Sequence, residues 1–434
     1  MDKPRVLIIS HGHPDQTPGG GQHAAYDLFA ELQGRRDVDA LFLAHTSGPE
    51  HVDTPFGVQG ITGAEILMTS RTDYFRFSQS DLNLACNDFR GLLDWFRPSV
   101  VHVHHYIHVG IELLRVIRNY SSQVPIVLTL HEYLAICNHN GQMIKTRDNE
   151  LCRAASPRAC NGCFPTITPE EFMLRELYIK SFFEVVDSFI SPSKFLIDRY
   201  VAWGLPREKM VLLENGLPAG ARAAARTAPA GGRRSRFGFF GQISPYKGLD
   251  VLLSAVMLLP LSERTTHDAI SIDVHGGFAE AQPQSFHQNV EKQLIEVRDC
   301  VRAHGRYHRD QLAARMSGVD WVVVPSIWWE NSPLVIQEAF AHGRPVICSN
   351  IGGMAEKVMN GVNGLHFRVG DARHLADRLL EAARTQGLWE RLHAGIQPPP
   401  TIAETTERHL ELYERIRESK CRSVASSTDD ASLN

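Results

Sequence analysis

Along the first half of the chain, short continuous apolar runs alternate with stretches of helical periodicity. Arg5–Ser10, Val38–Ala44, Val100–His104, Pro125–Leu130, Ser188–Ser191 and Met210–Leu213 read as strands buried on both faces. Helical patterns cover His23–Gln33 and Ile111–Arg118, and another closes at Leu92–Arg97. From Pro218 to Arg236 the pattern gives way to Ala, Arg, Gly and Pro, which predicts an exposed linker without a core of its own. A second series of buried runs follows at Phe237–Phe240, Ile270–Val274, Val319–Pro325, Pro345–Ser349 and Gly364–Phe367. Strands alternating with helices mean βαβ units and mainly parallel sheets. The expectation is an α/β chain with one domain over residues 1–217, a linker at 218–236, a second domain over 237–395, and a cleft between the domains. A helix is predicted within 400–420, spanning Thr405–Arg417, and the Ser/Asp-rich residues 421–434 read as a disordered tail.

Composition narrows the function. The 434 residues are 43% hydrophobic and 22% charged, with a formal charge of −4, an ordinary globular balance that gives no reason to expect nucleic acid as a partner. The run Val6–Ser10 is too short for a signal peptide, and no stretch approaches 18 uninterrupted apolar residues. The expected location is the cytoplasm, where the eight cysteines are reduced or metal-bound in preference to disulfide-bonded.

The most informative segment is Trp328–Phe340. A buried strand ending at Pro325 feeds a turn and then a helix, for which Ser332 is a suitable N-cap, Pro333 suits the first helical position and Gly343 is a stop. The N–H groups of that helix start form an anion site. Glu330 lies in the loop before the helix and Glu338 about two turns beyond it. An anion site with two carboxylates able to hold sugar hydroxyls suggests a nucleotide-sugar pocket, although a bare E-x7-E spacing also fits an acidic loop and a solvated helical Glu.

The surroundings decide between these readings. Pro325–Pro333, Glu338–Ile347, Ile351–Glu356 and Gly361–Leu365 closely resemble the retaining family-4 glycosyltransferases. Gly19-Gly20-Gly21, Thr129–Tyr133, Ser191-Pro192-Ser193, Asn215-Gly216, Gly241-Gln242-Ile243 and Lys247-Gly248 agree in order. The resemblance implies two Rossmann-like domains facing a cleft, the GT-B fold. It also implies transfer of a hexose-type sugar from a nucleoside-diphosphate sugar to an acceptor hydroxyl, with retention and without a catalytic metal. It further implies that Lys247, Asn331, Ser332, Pro333 and Leu334 hold the diphosphate, and that Glu338 accepts from the ribose hydroxyls. Glu330 would serve the transferred sugar, His131 would stand near it, and Gly20 and Gly21 would close over the phosphates. Gln242 stands where the family commonly has arginine, which removes one cation from the phosphate site. The acceptor is a polysaccharide, a lipid-linked oligosaccharide or a small aglycone. Two rival readings are a nucleotide-sugar epimerase or hydrolase on the same fold, and a catalytically silent nucleotide-sugar-binding partner subunit.

Other motifs carry less. His102 and His104 share one face of their strand but lack a nearby carboxylate, so packing or cleft-lining is expected before metal binding. Asp37-Val38-Asp39 is the only D-x-D, and it sits at the entry of a strand, the wrong end for a parallel-sheet ligand site. Cys137, Cys152, Cys160 and Cys163 follow the spacing C-x14-C-x7-C-x2-C, open to a structural zinc site, free thiols, disulfides or an iron–sulfur cluster. The amphipathic stretch Glu170–Asp187, with Arg175 and Lys180, fits a core-facing helix or peripheral contact at the inner face of a membrane.

Overall fold

The structure, a computed structural model, describes residues 3–17, 19–48, 54–60, 62–81, 83–220, 222–227, 233–266, 268–277 and 282–431. Two compact units result, one of residues 1–218 with 400–434 and the other of residues 219–399.

The first unit holds an eight-stranded sheet. Its strands are β1 (Arg5–Ser10), β2 (Asp39–His45), β3 (Phe56–Gln59), β4 (Glu65–Met68), β5 (Val100–Val103), β6 (Ile126–Thr129), β7 (Ser188–Ser191) and β8 (Met210–Leu212), in the order β3-β4-β2-β1-β5-β6-β7-β8. Every pairing is parallel except β3 with β4. Strands covered on both faces must be apolar throughout, and β1, β5, β6 and β7 are buried nearly end to end. On one face Ile8, Phe42 and Val127 join Leu28 and Leu32 of the Gly20–Gln33 helix, together with Leu412 and Tyr413. These last two come from the carboxyl-terminal helix Ile402–Ala431, which is part of this unit.

The second unit holds a six-stranded parallel sheet of β9 (Arg236–Phe240), β10 (Ser271–His275), β11 (Val301–Gly305), β12 (Trp321–Val324), β13 (Val346–Ser349) and β14 (Gly364–Phe367), in the order β11-β10-β9-β12-β13-β14. In such sheets ligands sit beyond the carboxyl ends of the strands where the connection order reverses. That point lies between β1 and β5 in the first unit and between β9 and β12 in the second.

Three expectations are corrected. The segment read as a bare linker is fastened to the second unit: Arg226 and Arg234 converge on the buried Asp320 carboxylate at 2.7 and 3.3 Å, and Arg233 pairs with Glu263 at 2.6 Å. Arginines that look solvated in the sequence thus neutralise carboxylates of the domain they precede; residues 221 and 228–232 lie outside the described residues. The tail read as disordered is helical to Ala431, and 432–434 lie outside the described residues. The helix after β12 runs Leu334–Ala341 with extended Pro333 in the cap position, so Ser332 does not cap it.

Candidate functional site

In the second unit, the loops after β9 and β12 meet. Gly248, with φ +71°, starts the Leu249–Met257 helix so close to the end of β12 that a Cβ there would lie 2.0 Å from the Pro325 carbonyl oxygen. This approach sets Lys247 beside the loop after β12. Its Nζ donates to Glu330 Oε1 at 2.6 Å and lies 5.6 Å from the centre of the Trp328 ring. Glu330 is buried, at 4% exposure, and Ser326 Oγ donates to the same oxygen at 2.8 Å. A buried carboxylate needs such partners, since desolvation otherwise costs several kcal/mol.

The loop is anchored from behind. Gly353 N donates to Glu330 O at 2.7 Å, and a Cβ on Gly353 would fall 1.4 Å from Asn331 O. The I-G-G segment is therefore required as glycine for the loop to keep this position. Asn331 and Pro333 are buried and Leu334 is half-buried at the start of the Leu334–Ala341 helix. Ser332 Oγ is buried with no hydrogen-bond partner, as is Trp328 Nε1. An orphaned hydroxyl beside a helix start is a donor waiting for an acceptor. Glu338 sits half-buried one turn along; burial, reinforced by the Glu338 charge, pushes the nearby Tyr307 hydroxyl upward in pKa. Gln242 is exposed in the turn after β9. Lys247 and Glu330, 83 residues apart in the sequence, are thus paired at the switch point, with the Ser332 hydroxyl two residues further along the same loop.

In the first unit the switch point is lined by histidines. Gly20 and Gly21 open the Gly20–Gln33 helix, and a Cβ on Gly21 would touch His131 at 3.4 Å and His11 at 3.5 Å. His131 Nε2 and His104 Nδ1 are 3.2 Å apart, and the His11 and His105 rings lie 4.5 Å apart. Burial, reinforced by His105, pushes His131 down to about 3, so it is neutral. Sequence reasoning passed over Glu132: His105 Nε2 lies 2.9 Å from its Oε1, the Leu134 N–H donates to its other oxygen, and burial raises it to about 8. The signal was available, since an acid directly after a buried strand must find partners. Ser326 was also missed; only geometry reveals a serine aimed at Glu330.

The remaining motifs separate from these sites. His102 is buried between Tyr413 OH at 2.6 Å and Thr129 Oγ1 at 2.7 Å, a packing role. Asp37 pairs with Arg35, and Asp39 stands 4.0 Å from Lys3, at the entry of β2. Arg175 is buried and donates to the Phe75, Leu134 and Ala135 carbonyls, so it fixes a loop and does not face a membrane. Cys137, Cys152, Cys160 and Cys163 line one cavity of about 480 Å³. Among the described residues no three His, Cys, Asp or Glu side chains are already gathered as a metal-binding group, and no helix is long and apolar enough to cross a membrane.

Comparison with known proteins accords with this geometry. Residues 18–219 match Glycosyltransferase Family 4 and residues 234–385 match Glycosyl transferases group 1. A D-inositol 3-phosphate glycosyltransferase of Streptomyces bingchenggensis is 31% identical over 423 residues, covering 90% of this chain and 84% of that one. Sucrose-phosphate synthase from Thermosynechococcus elongatus superposes with a TM-score of 0.67 at 17% identity, over 96% of this chain and all of that one. Anabaena HepE, crystallised with UDP and glucose, gives 0.63 at 16% identity, over 95% of this chain and all of that one. At such identities these two structures speak to the fold alone, and that fold is GT-B.

Proposed function

The chain belongs to glycosyltransferase family 4, and we propose that it moves a hexose-type sugar from a nucleoside-diphosphate sugar to an acceptor hydroxyl with retention and without a catalytic metal. The observation that carries the donor assignment is the Lys247–Glu330 pair set beside the unpartnered Ser332 hydroxyl and the start of the Leu334–Ala341 helix. A diphosphate bound there draws on Lys247 as a point charge, on the Ser332 hydroxyl as a donor and on the N–H groups of Asn331, Ser332 and Leu334, Pro333 having none. With Gln242 in place of a second cation, these groups carry the phosphate charge. Glu338, one turn into the Leu334–Ala341 helix, accepts from vicinal ribose hydroxyls. Glu330, freed from Lys247 as the phosphates engage it, orients the sugar hydroxyls and steadies the positive charge developing at the anomeric carbon.

In the proposed reaction the anomeric carbon–phosphate oxygen bond breaks while the acceptor oxygen attacks from the same face. The departing phosphate oxygen takes the acceptor proton, so charge and protons balance without an added base. The contribution of the protein is orientation and fixed electrostatics. Within the first unit, neutral His131 beside Gly21 is able to hydrogen-bond a sugar hydroxyl.

The test is thermal stabilisation by UDP-, GDP-, ADP- and dTDP-sugars, with and without EDTA, in wild type and Glu338→Ala. The complex of HepE with UDP and glucose makes the UDP-sugars the first to try. A shift that survives EDTA and is lost in the variant is expected; its absence from a folded protein would remove the donor assignment. Product NMR then reads the anomeric configuration, and donor turnover without any acceptor would favour an epimerase or hydrolase.

For the partner, exposed Met173, Leu174 and Leu177 on the Pro169–Phe183 helix favour peripheral contact with a membrane bearing a lipid-linked acceptor, at its inner face. Flotation with liposomes, compared between wild type and Leu174→Ser with Leu177→Ser, tests this.

A further inference from the structure

We propose that Cys137, Cys152, Cys160 and Cys163 bind one structural zinc ion that staples the loop following His131. The inference does not rest on the donor assignment, because none of these residues belongs to the donor group.

Four observations converge. The first is placement: the four cysteines come from three separate pieces of backbone yet line one cavity of about 480 Å³. Cys137 ends the turn after Tyr133, whose carbonyl accepts from the Cys137 N–H at 2.8 Å. Cys152 directly follows the bridge between Ile144 and Leu151. Cys160 and Cys163 lie on one helix, Pro157–Cys163. The Cys160 thiol is within electrostatic reach of the other three. A C-x2-C pair sharing a cavity with two further cysteines supplies the donor types of a tetrahedral tetrathiolate site.

The second observation is that the Pro157–Cys163 helix has no buried residue. Apolar packing ordinarily provides most of a short helix's stability, and here only half-buried side chains provide it. Small elements without a core are held by a metal or by covalent links.

Third, the segment 134–156 is almost wholly irregular. A loop of that length with little secondary structure is uncommon in a compact domain without a specific fastening.

The fourth is charge. Zinc with four thiolates carries two net negative charges, and the cavity is lined by Lys145, Arg147, Arg153 and Arg158 against the single acid Glu150. Basic side chains placed around the site would balance that charge.

The thiols are not drawn together as a ligand set in this structure; Cys152 Sγ instead donates to Ala154 O at 3.3 Å. Binding would break four S–H bonds, release four protons to solvent and form four zinc–sulfur bonds in place of such weak thiol contacts. The functional consequence follows from what the loop holds. Leu134 N–H donates to Glu132, Tyr133 N donates to Gly141 O at 3.2 Å, and a Cβ on Gly141 would lie 2.4 Å from Glu132 Oε2. Zinc therefore fixes the backbone that positions Glu132 beside His131.

The experiment quantifies metal in the full chain purified without chelator, by elemental mass spectrometry. Release is then followed with a zinc indicator while a mercurial titrates thiols. The expected result is about one zinc per chain, released as four thiols react, and regained when zinc is returned to the stripped protein. Cys160→Ser and Cys163→Ser should lose the zinc, whereas Cys421→Ser, at an exposed position, should keep it. Should the first two variants misfold, cobalt replacement in wild type still reads the ligands, through a thiolate-to-cobalt charge-transfer band. Iron in place of zinc, disulfides by intact mass, or a chain that takes up no zinc would each overturn the proposal. In the stripped protein, nucleotide-induced stabilisation should persist while acceptor turnover falls, which separates failure here from failure of the donor assignment.

Discussion

Lys247 Nζ stands 2.6 Å from Glu330 Oε1, joining two residues 83 positions apart. The carboxylate is buried and the lysine about one-third exposed, so a diphosphate can reach the lysine while the acid stays anchored by Ser326. Glu330→Gln keeps the shape and removes the charge: kcat should fall roughly 100-fold with little change in donor KM. Lys247→Met should instead raise donor KM about 10-fold or more, as expected for losing a hydrogen bond to a charged group. Steady-state kinetics on both variants decides; equal losses in kcat and KM in both would mean that the pair has no division of labour.

The loop behind Glu330 makes a second prediction. In Gly353→Ala the new methyl meets Asn331 O, and Gly352 leaves no slack, since a Cβ there would also lie 2.9 Å from Glu330 O. The loop must move, at a cost of roughly 1–3 kcal/mol, and the helix start proposed to receive the phosphates moves with it. The melting temperature should drop and nucleotide stabilisation should vanish. Gly91→Ala, at an exposed helical position with open space around its Cβ, is the control that retains nucleotide stabilisation.

Much of this was readable from the chain because the decisive features are local. Runs such as Val6–Ser10 and Val319–Pro325 are apolar on both faces, so they announce buried parallel strands; β1 and β12 lie there. Strand β11, Val-Arg-Ala-His-Gly, is exposed beyond its first residue, and its sequence carries no apolar run to find. The short strands β3 and β4 escape for a related reason, being only partly buried. At the site, glycines and acids could be named from their motif, but Ser332 as a cap could not survive Pro333, whose extended ψ of 118° starts the helix one residue later. The Arg226–Asp320 clamp joins residues 94 apart, a distance at which composition alone reads only a charged linker.

The carboxyl-terminal helix should matter to the first unit and not to donor binding. Tyr413 OH and His102 Nδ1 are 2.6 Å apart, both buried. Tyr413→Phe removes that bond and leaves the imidazole nitrogen unsatisfied, a loss of roughly 1–3 kcal/mol. Denaturant unfolding should show it, while nucleotide-induced stabilisation of the second unit stays intact. Loss of nucleotide binding in this variant would contradict the division of labour between the units.

Acid should destabilise the protein, and the sign can be worked out. Burial pushes His45 and His409 down to about 4 and His105 and His131 to about 3. A histidine depressed in the folded state stays neutral there and takes up its proton on unfolding. Its contribution is present above an unfolded value of roughly 6.5 and is lost as pH falls toward the folded value, by up to ~1.4 kcal/mol per pH unit. Glu132 opposes this: raised to about 8, it holds a proton in the fold and loses stability as pH rises from its unfolded value. His105 and Glu132 are 2.9 Å apart and share one proton between them, so their opposite effects largely cancel. His45, His131 and His409 remain, all with the same sign. The melting temperature should therefore fall by about 5 °C or more between pH 6.5 and pH 5 in calorimetry. His409→Gln should flatten that fall, because the amide can still donate to Thr405 O, the acceptor 2.7 Å from His409 Nδ1, but no longer titrates. A melting temperature that is level or rising toward pH 5 would mean that these imidazoles are already charged in the folded chain.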